Sequence, residues 1–202
     1  MPSAWIGVLP GEEPMTTLVA IQGDGWSVIG CDSRSSDESG RYLEMATHKV
    51  VENNGILIAG SGAGRGSNIL QFGWRAPRPK AGQDLDVFMT KVFIPSMRKV
   101  FIESGYDMKA DGEAAAHDSE FIVSIHGVLY PIYEDYSWDR EERNIYHSGS
   151  GSDLALGVLE ALNYQKCKTA KDAEKIVYRA VEIAIKHDIY SGGNVHTFIQ
   201  EE

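Results

Sequence analysis

The chain has 202 residues and a formal net charge of −10, with 43% hydrophobic and 24% charged residues. This length is common for one compact domain, and the composition is that of a soluble globular protein. Nucleic acid is an unfavourable partner, because binding its phosphates requires a basic stripe that the sequence lacks. No apolar run approaches the roughly 18 residues that a membrane-spanning helix needs.

The cysteine and histidine content predicts neither a disulfide framework nor a metal site. The two cysteines, Cys31 and Cys167, are far apart and lack a CxxC spacing, and the six histidines show no paired ligand spacing on one helix. We therefore expect a reducing, cytoplasmic location and no metal. The opening segment, residues 1–15, has no basic region followed by an apolar one, so it is typical of a short leader or extension and not of a secretion signal.

The first part of the chain predicts antiparallel strands. From Thr16 the letters TTLVAI indicate a buried strand, a turn follows at residues 22–25, and WSVIGCD returns as a second strand. The polar stretch 33–41 predicts a loop. The apolar runs KVV and GILIAG then predict another strand pair around residues 53–55.

Helical spacing alternates with further strand signals in the remainder. A short helix after GSGAGRGS should stop at the prolines of APRP, and a second helix over about 85–104 should be kinked at Pro95. Strands are predicted in EFIVSIHG, VLYPIYED and NIYHSGSG, then helices over about 152–162 and 171–186, and a last strand in VHTFIQ. This order predicts an α+β fold in which two antiparallel sheets pack face to face between helix pairs.

A threonine at a chain terminus can combine a nucleophile with a base, because its own α-amine can accept the hydroxyl proton. The unperturbed pKa of an α-amine, about 8, lies close to working pH, whereas an internal threonine has no such group. Removal of residues 1–15 would give Thr16 this chemistry. The Thr-Thr pair is weak evidence by itself, since threonine is favoured in strands for steric reasons.

The string TTLVAIQGDGWSVIGCDSR has the two threonines, Asp-Gly turn and return strand with which mature proteasome β-subunits open. From Thr16 nearly to its end the chain resembles this family, including the bacterial two-component protease subunit. Asp32 falls on the family's catalytic aspartate, which holds a lysine ammonium near the nucleophile. Lys49 is the preferred lysine if the preceding loop is one residue longer, because a permanent cation acts more strongly than a neutral imidazole. His48 is the ungapped match.

Later motifs extend this resemblance. IAGSGAGR resembles the loop whose glycine N–H stabilises the oxyanion; Gly62 is the preferred donor, with the neighbouring glycines as alternatives. SGSGSDLALGVLE resembles the string beside the nucleophile, in which Ser150 matches a serine that helps to relay a proton. HDIYSGGNVHTFI resembles an aspartate followed by Ser-Gly-Gly and a closing strand, which nominates Asp188 and Ser191.

The resemblance implies a four-layer αββα sandwich, the Ntn-hydrolase fold, over residues 16–202, with residues 1–15 as an N-terminal extension or propeptide. It implies a threonine-type endopeptidase that cuts unfolded polypeptides, assembles into a homo-oligomeric ring, works with a separate ATP-dependent unfoldase and needs no cofactor. Three routes would expose Thr16: autolysis, another protease, or translation from Met15 followed by methionine removal.

Two other interpretations compete with the peptidase. SGSGS before a helix suits a phosphate cradle, but no Lys-Ser or Lys-Thr follows it, and the strands do not alternate with helices as in a nucleotide-binding sheet. The same fold could instead serve as a catalytically silent structural or assembly subunit. A silent subunit has no evident need for the six catalytic candidates together: Thr16, Asp32, Lys49, Ser150, Asp188 and Ser191.

Overall fold

Two antiparallel sheets face each other in the computed structural model, which describes residues 15–37, 39–107 and 116–202. The first sheet contains, in spatial order, β10 (His196–Glu201), β2 (Trp26–Cys31), β1 (Leu18–Gly23) and β9 (Ile145–Ser148). The second contains β5 (Val50–Asn53), β6 (Ile56–Gly62), β7 (Ser119–Ile125) and β8 (Val128–Ile132). Of the predicted extension, only Met15 lies within the described residues.

The strands form because apolar residues alternate between two environments. In β6, Leu57 and Ala59 point between the sheets, while Ile56 and Ile58 pack beneath the helices of the second sheet. The turn before β6 uses Asn54 and Gly55, both at positive φ, as a tight hairpin between right-twisted strands requires.

Helices cover the outer face of each sheet. The second sheet carries α1 (Gly64–Phe72), α2 (Leu85–Phe88), a π-helical turn (Met89–Phe93) and α3 (Ile94–Glu103), and the first carries α4 (Ser152–Ala161), a 3₁₀ turn (Tyr164–Lys166) and α5 (Ala170–Ala184). The π-helical turn ends just before Pro95, the position at which the sequence predicted a kink. Proline has no N–H to donate, and its ring crowds the carbonyl four residues earlier, so the preceding turn widens.

The apolar core lies in three layers, one between the sheets and one between each sheet and its helices. The predicted four-layer αββα sandwich is therefore confirmed. Within the described ranges, no helix combines the length and apolar character needed to cross a bilayer.

The loop predicted over residues 33–41 is wrong in one respect. Its first part contains a strand, β3 (Arg34–Ser36), which pairs with β4 (Tyr42–Glu44), directly after the predicted loop, as a small separate sheet. All three residues of β4 are exposed, so this strand has no buried face and no apolar alternation to reveal it. The Arg34 guanidinium lies 4.0 Å from the centre of the Tyr42 ring and helps to hold the pair.

Candidate active site

Thr16 and Asp32 lie at the same end of the sandwich because β1 and β2 are antiparallel neighbours. Leu18 pairs with Cys31, so the residues just before β1 adjoin those just after β2. The Thr17 N–H donates to Asp32 Oδ1 at 3.0 Å, and the Asp32 N–H donates to the Thr17 carbonyl at 3.2 Å. The beginning of β5 in the facing sheet brings Lys49 to this end as well.

Lys49 joins the predicted nucleophile to the predicted aspartate. Its Nζ lies 2.9 Å from Thr16 Oγ1 and 2.6 Å from Asp32 Oδ1. Thr16 is 5% exposed, Asp32 0% and Lys49 8%, so the ion pair has little contact with water and acts strongly on the threonine hydroxyl.

His48 points elsewhere. It is exposed, and its ring packs edge-on against the His196 ring with centroids 4.4 Å apart. The structure thus brings Lys49, and not the ungapped alternative His48, to the hydroxyl of Thr16.

The Asp32 carboxylate is buried but well compensated. Besides Thr17 and Lys49, which donate to Oδ1, the backbone N–H groups of Arg34 and Gly192 donate to Oδ2 at 3.2 and 3.0 Å. Charge-assisted hydrogen bonds of this kind offset the free energy of removing a carboxylate from water. Asp32 therefore ties the start of β1 to the loop that precedes β10.

The remaining polar candidates form a second group. Ser150 and Ser191 both donate to Asp188 Oδ2, at 2.8 and 2.5 Å. The Thr17 hydroxyl donates to Ser191 Oγ at 2.8 Å. Since Thr17 also bonds Asp32, it links this group to the one around Thr16.

Thr17 and Gly151 contact the candidate site residues, and the sequence analysis did not assign either of them. The Gly151 N–H donates to the Thr16 carbonyl at 3.1 Å. A Cβ at Gly151 would lie only 1.9 Å from Thr17 Oγ1 and 2.9 Å from Asp188 Oδ2, so this position has room for glycine alone. In the sequence, the Thr-Thr pair could have pointed to Thr17 and the SGSGS string to Gly151.

Gly62 ends β6 at the same end of the sandwich. Its φ is +88°, and a Cβ there would lie 2.8 Å from the Asp118 carbonyl oxygen, so both conformation and space favour glycine. A 2.6 Å hydrogen bond between the Ser61 and Ser148 hydroxyls joins this strand end to β9. Among the described residues, no hydrogen bond links Gly62 directly to the other candidates.

The thiol of Cys31 lies beside this group but is not a competing nucleophile. Burial raises the pKa of Cys31 to about 12, although the positive charge of Lys49 opposes the increase. The thiol stays protonated near neutral pH, and only a thiolate is strongly nucleophilic.

Comparisons with known proteins find similar sequences among proteasome subunits. The sequence model of the family described as "Proteasome subunit" matches residues 135–199. Proteasome subunit beta type-8 of Canis lupus familiaris is 25% identical over 194 residues, covering 93% of this chain and 66% of that relative. Proteasome subunit beta 2 of Nitrosopumilus maritimus is 25% identical over 198 residues, covering 93% of this chain and 86% of that relative. The chain thus spans just under two thirds of the length of the dog relative.

Solved structures show the same fold. Thiobacillus denitrificans BPH in complex with epoxomicin superposes with a TM-score of 0.71 at 21% identity, covering 92% of this chain and 98% of that one. Eukaryotic HslV from Trypanosoma brucei gives a TM-score of 0.62 at 18% identity, covering 93% and 100%. The sequence matches therefore make this chain similar to proteasome β-subunits, and the solved structures show that it shares their fold.

Proposed function

We propose that this chain is a threonine-type endopeptidase subunit whose nucleophile, Thr16, is exposed by removal of residues 1–15. The observation that carries the proposal is the position of Lys49 Nζ, within hydrogen-bond distance of both Thr16 Oγ1 and Asp32 Oδ1 in a buried site. A cation so placed favours the alkoxide form of the hydroxyl that must attack a peptide carbonyl.

Cleavage of the Met15–Thr16 bond would free the α-amine that serves as the base. In the proposed cycle this amine accepts the Thr16 hydroxyl proton while Oγ1 attacks the substrate carbonyl, and the Gly62 N–H stabilises the oxyanion. The amine then protonates the leaving amine, an ester remains on Thr16, and water hydrolyses it. The bonds of Ser150 and Ser191 to Asp188 support a part in moving protons near the amine.

Unfolded polypeptides are the proposed substrates, and a homo-oligomeric ring with a separate ATP-dependent unfoldase is the proposed assembly. These proposals rest on the similarity of this chain to proteasome β-subunits. Residues 16–202 would be the mature domain. The free thiols of Cys31 and Cys167 are compatible with the proposed cytoplasmic location.

The test compares full-length protein, a chain that starts at Met15 and a Thr16→Ala variant. Intact mass and N-terminal sequencing would show whether the mature chain begins at Thr16, and cleavage of a fluorogenic peptide and of an unfolded protein would measure activity. We expect Thr16→Ala to abolish cleavage and Thr16→Ser, which keeps a hydroxyl, to retain part of it. A native chain that keeps residues 1–15 and shows no Thr16-dependent cleavage would instead identify a structural or assembly subunit.

A further inference from the structure

We propose that Glu44 is a positioning residue that holds the loop carrying Asp188 and Ser191 in its working conformation. Glu44 ends β4, in the small β3–β4 sheet that the sequence did not predict. The loop, residues 188–194, leads into β10. The inference rests on the proposed function, since the loop's polar residues matter for catalysis only if the site cuts peptide bonds.

The Glu44 carboxylate accepts hydrogen bonds from the side chains of the two residues that follow Asp32. Its Oε1 accepts hydrogen bonds from Arg34 Nε at 3.3 Å and Arg34 Nη2 at 3.2 Å, and its Oε2 accepts one from Ser33 Oγ at 3.2 Å. The backbone reinforces this contact, because the Met45 N–H donates to the Ser33 carbonyl at 2.9 Å. The carboxylate therefore sets the orientation of both side chains.

Ser33 and Arg34 in turn hold the loop. The Asn194 N–H donates to Ser33 Oγ at 2.8 Å, and the Ser33 N–H donates to the Gly192 carbonyl at 3.2 Å. Arg34 Nη1 reaches the Ser191 carbonyl at 3.5 Å. A change at Glu44 would thus be transmitted to the backbone on either side of Gly192.

The loop lies directly against the Glu44 and Arg34 side chains. A Cβ at Gly193, where φ is +75°, would lie 1.9 Å from Glu44 Oε2 and 2.3 Å from Ser33 Oγ. A Cβ at Gly192 would lie 2.4 Å from the Arg34 guanidinium carbon. Two successive glycines therefore let the loop backbone approach the ion pair at a distance that no side chain permits.

The held backbone carries the polar groups of the site. The Gly192 N–H bonds Asp32 Oδ2, and Ser191 accepts from Thr17 while donating to Asp188. The Arg34 and Glu44 side chains are 23% and 47% exposed, so their attraction is moderate and sensitive to salt. We expect loss of the Glu44 charge to misplace Ser191 part of the time without unfolding the protein.

The experiment compares Glu44→Gln with Glu141→Gln in the full chain. Glu141 is a matched control, because it also accepts hydrogen bonds from an arginine, Arg143, at 3.0 and 3.4 Å. It lies at the opposite end of the first sheet, near the Asn144 carbonyl that accepts from the Gln22 N–H. Peptide kcat and KM are measured together with amide hydrogen exchange of the 188–194 segment.

For Glu44→Gln we expect kcat to fall about fivefold with little change in KM, and exchange of the 188–194 amides to accelerate by a similar factor. Because 1 M salt shortens the Debye length to about 3 Å, the kcat of the unchanged protein should approach that of the variant in high salt. Glu141→Gln should match the unchanged protein in kcat, loop exchange and salt response.

The outcomes separate this inference from the proposed function. Faster loop exchange in Glu44→Gln, without any Thr16-dependent cleavage in the unchanged protein, would uphold the contact with the loop and remove the peptidase function. Active protein in which Glu44→Gln alters neither kcat nor loop exchange would overturn the role of Glu44. An equal loss of kcat in Glu141→Gln would also overturn it, since the effect would then be general to surface ion pairs.

Discussion

Two buried polar clusters in this molecule differ in how their polar atoms are satisfied. At the site, Asp32 and Lys49 are 0% and 8% exposed and are hydrogen-bonded to each other and to their neighbours. A second cluster lies between α3 and the second sheet. There Asp107 Oδ1, both ring nitrogens of His117 and the hydroxyl of Tyr136 are buried without a hydrogen-bond partner among the described residues.

The difference shows that burial alone does not mark a functional site. His117 packs as an aromatic ring, with its centroid 4.7 Å from that of Tyr136 and 5.3 Å from that of Phe101. Burial lowers the pKa of His117 to about 4, although the nearby charge of Asp107 opposes the decrease. Among the described residues, the second cluster therefore lacks the compensation that the paired charges of the first provide, and burial of its polar atoms should cost stability.

Lys49→Ala should have the largest effect on activity and stability, because it removes the cation that contacts both Thr16 and Asp32. We expect kcat to fall by about 10²–10⁴ and the free energy of unfolding to fall by about 3 kcal/mol, since Asp32 would keep a buried charge without its cation. Denaturant unfolding and peptide cleavage measure the two effects. The double variant Lys49→Ala with Asp32→Asn should recover stability but not activity; an equally unstable double variant would contradict the role of the unpaired charge.

Acid should weaken the fold through the second cluster. His117 has an ordinary pKa of 6.5 and a folded pKa of about 4, so between these values the unfolded chain binds a proton that the folded chain does not. Stability should therefore fall by about 3 kcal/mol as pH drops from 6.5 to 4. His117→Phe should lack this component, as urea unfolding across that pH range would reveal. Parallel pH curves for the two proteins would exclude His117 as the cause.

Tyr136→Phe should change the free energy of unfolding least, and in the opposite direction to the control variant Tyr164→Phe. No described residue forms a hydrogen bond with the buried Tyr136 hydroxyl, so removing it should raise the free energy of unfolding by about 0–1 kcal/mol. Tyr164 is similarly buried, but its hydroxyl donates to the Arg143 carbonyl at 3.0 Å. Tyr164→Phe should therefore cost about 1 kcal/mol. Equal losses in thermal or urea unfolding would show that the Tyr136 hydroxyl has a partner in solution.

The sequence predicted the strands of the two main sheets well, because their burial imposes apolar patterns that are local to the chain. The β3–β4 pair was missed since an exposed strand has no such pattern. The β3–β4 pair lies in the chain between Asp32 and Lys49. Because the sequence did not show how this stretch folds, it left open whether Lys49 or its neighbour His48 faces Thr16. Only the contacts of Lys49 with Thr16 and Asp32 resolved it.

Thr17, Gly151 and Glu44 were not assigned for a related reason. Their contributions are contacts with residues distant in the chain, such as the bond from Thr17 to Ser191 across 174 positions. Threonine before a strand and glycine before a helix are common for local reasons, so their residue types carry little information about such contacts. A carboxylate within a polar stretch, as at Glu44, carries still less information about its contacts in the fold.

By itself, the amino-acid sequence determined the order of the helices and of the strands in the two main sheets, the αββα layering and the motifs that gather at one end of the sandwich, because each depends on residue patterns a few positions long. Tertiary structure alone decided which cation meets Thr16, how Thr17 joins the two hydrogen-bonded groups, and how Glu44 contacts Ser33 beside the loop of Ser191. Those outcomes depend on distances of about 3 Å between segments far apart in the chain, and folding sets such distances through the packing of both sheets at once.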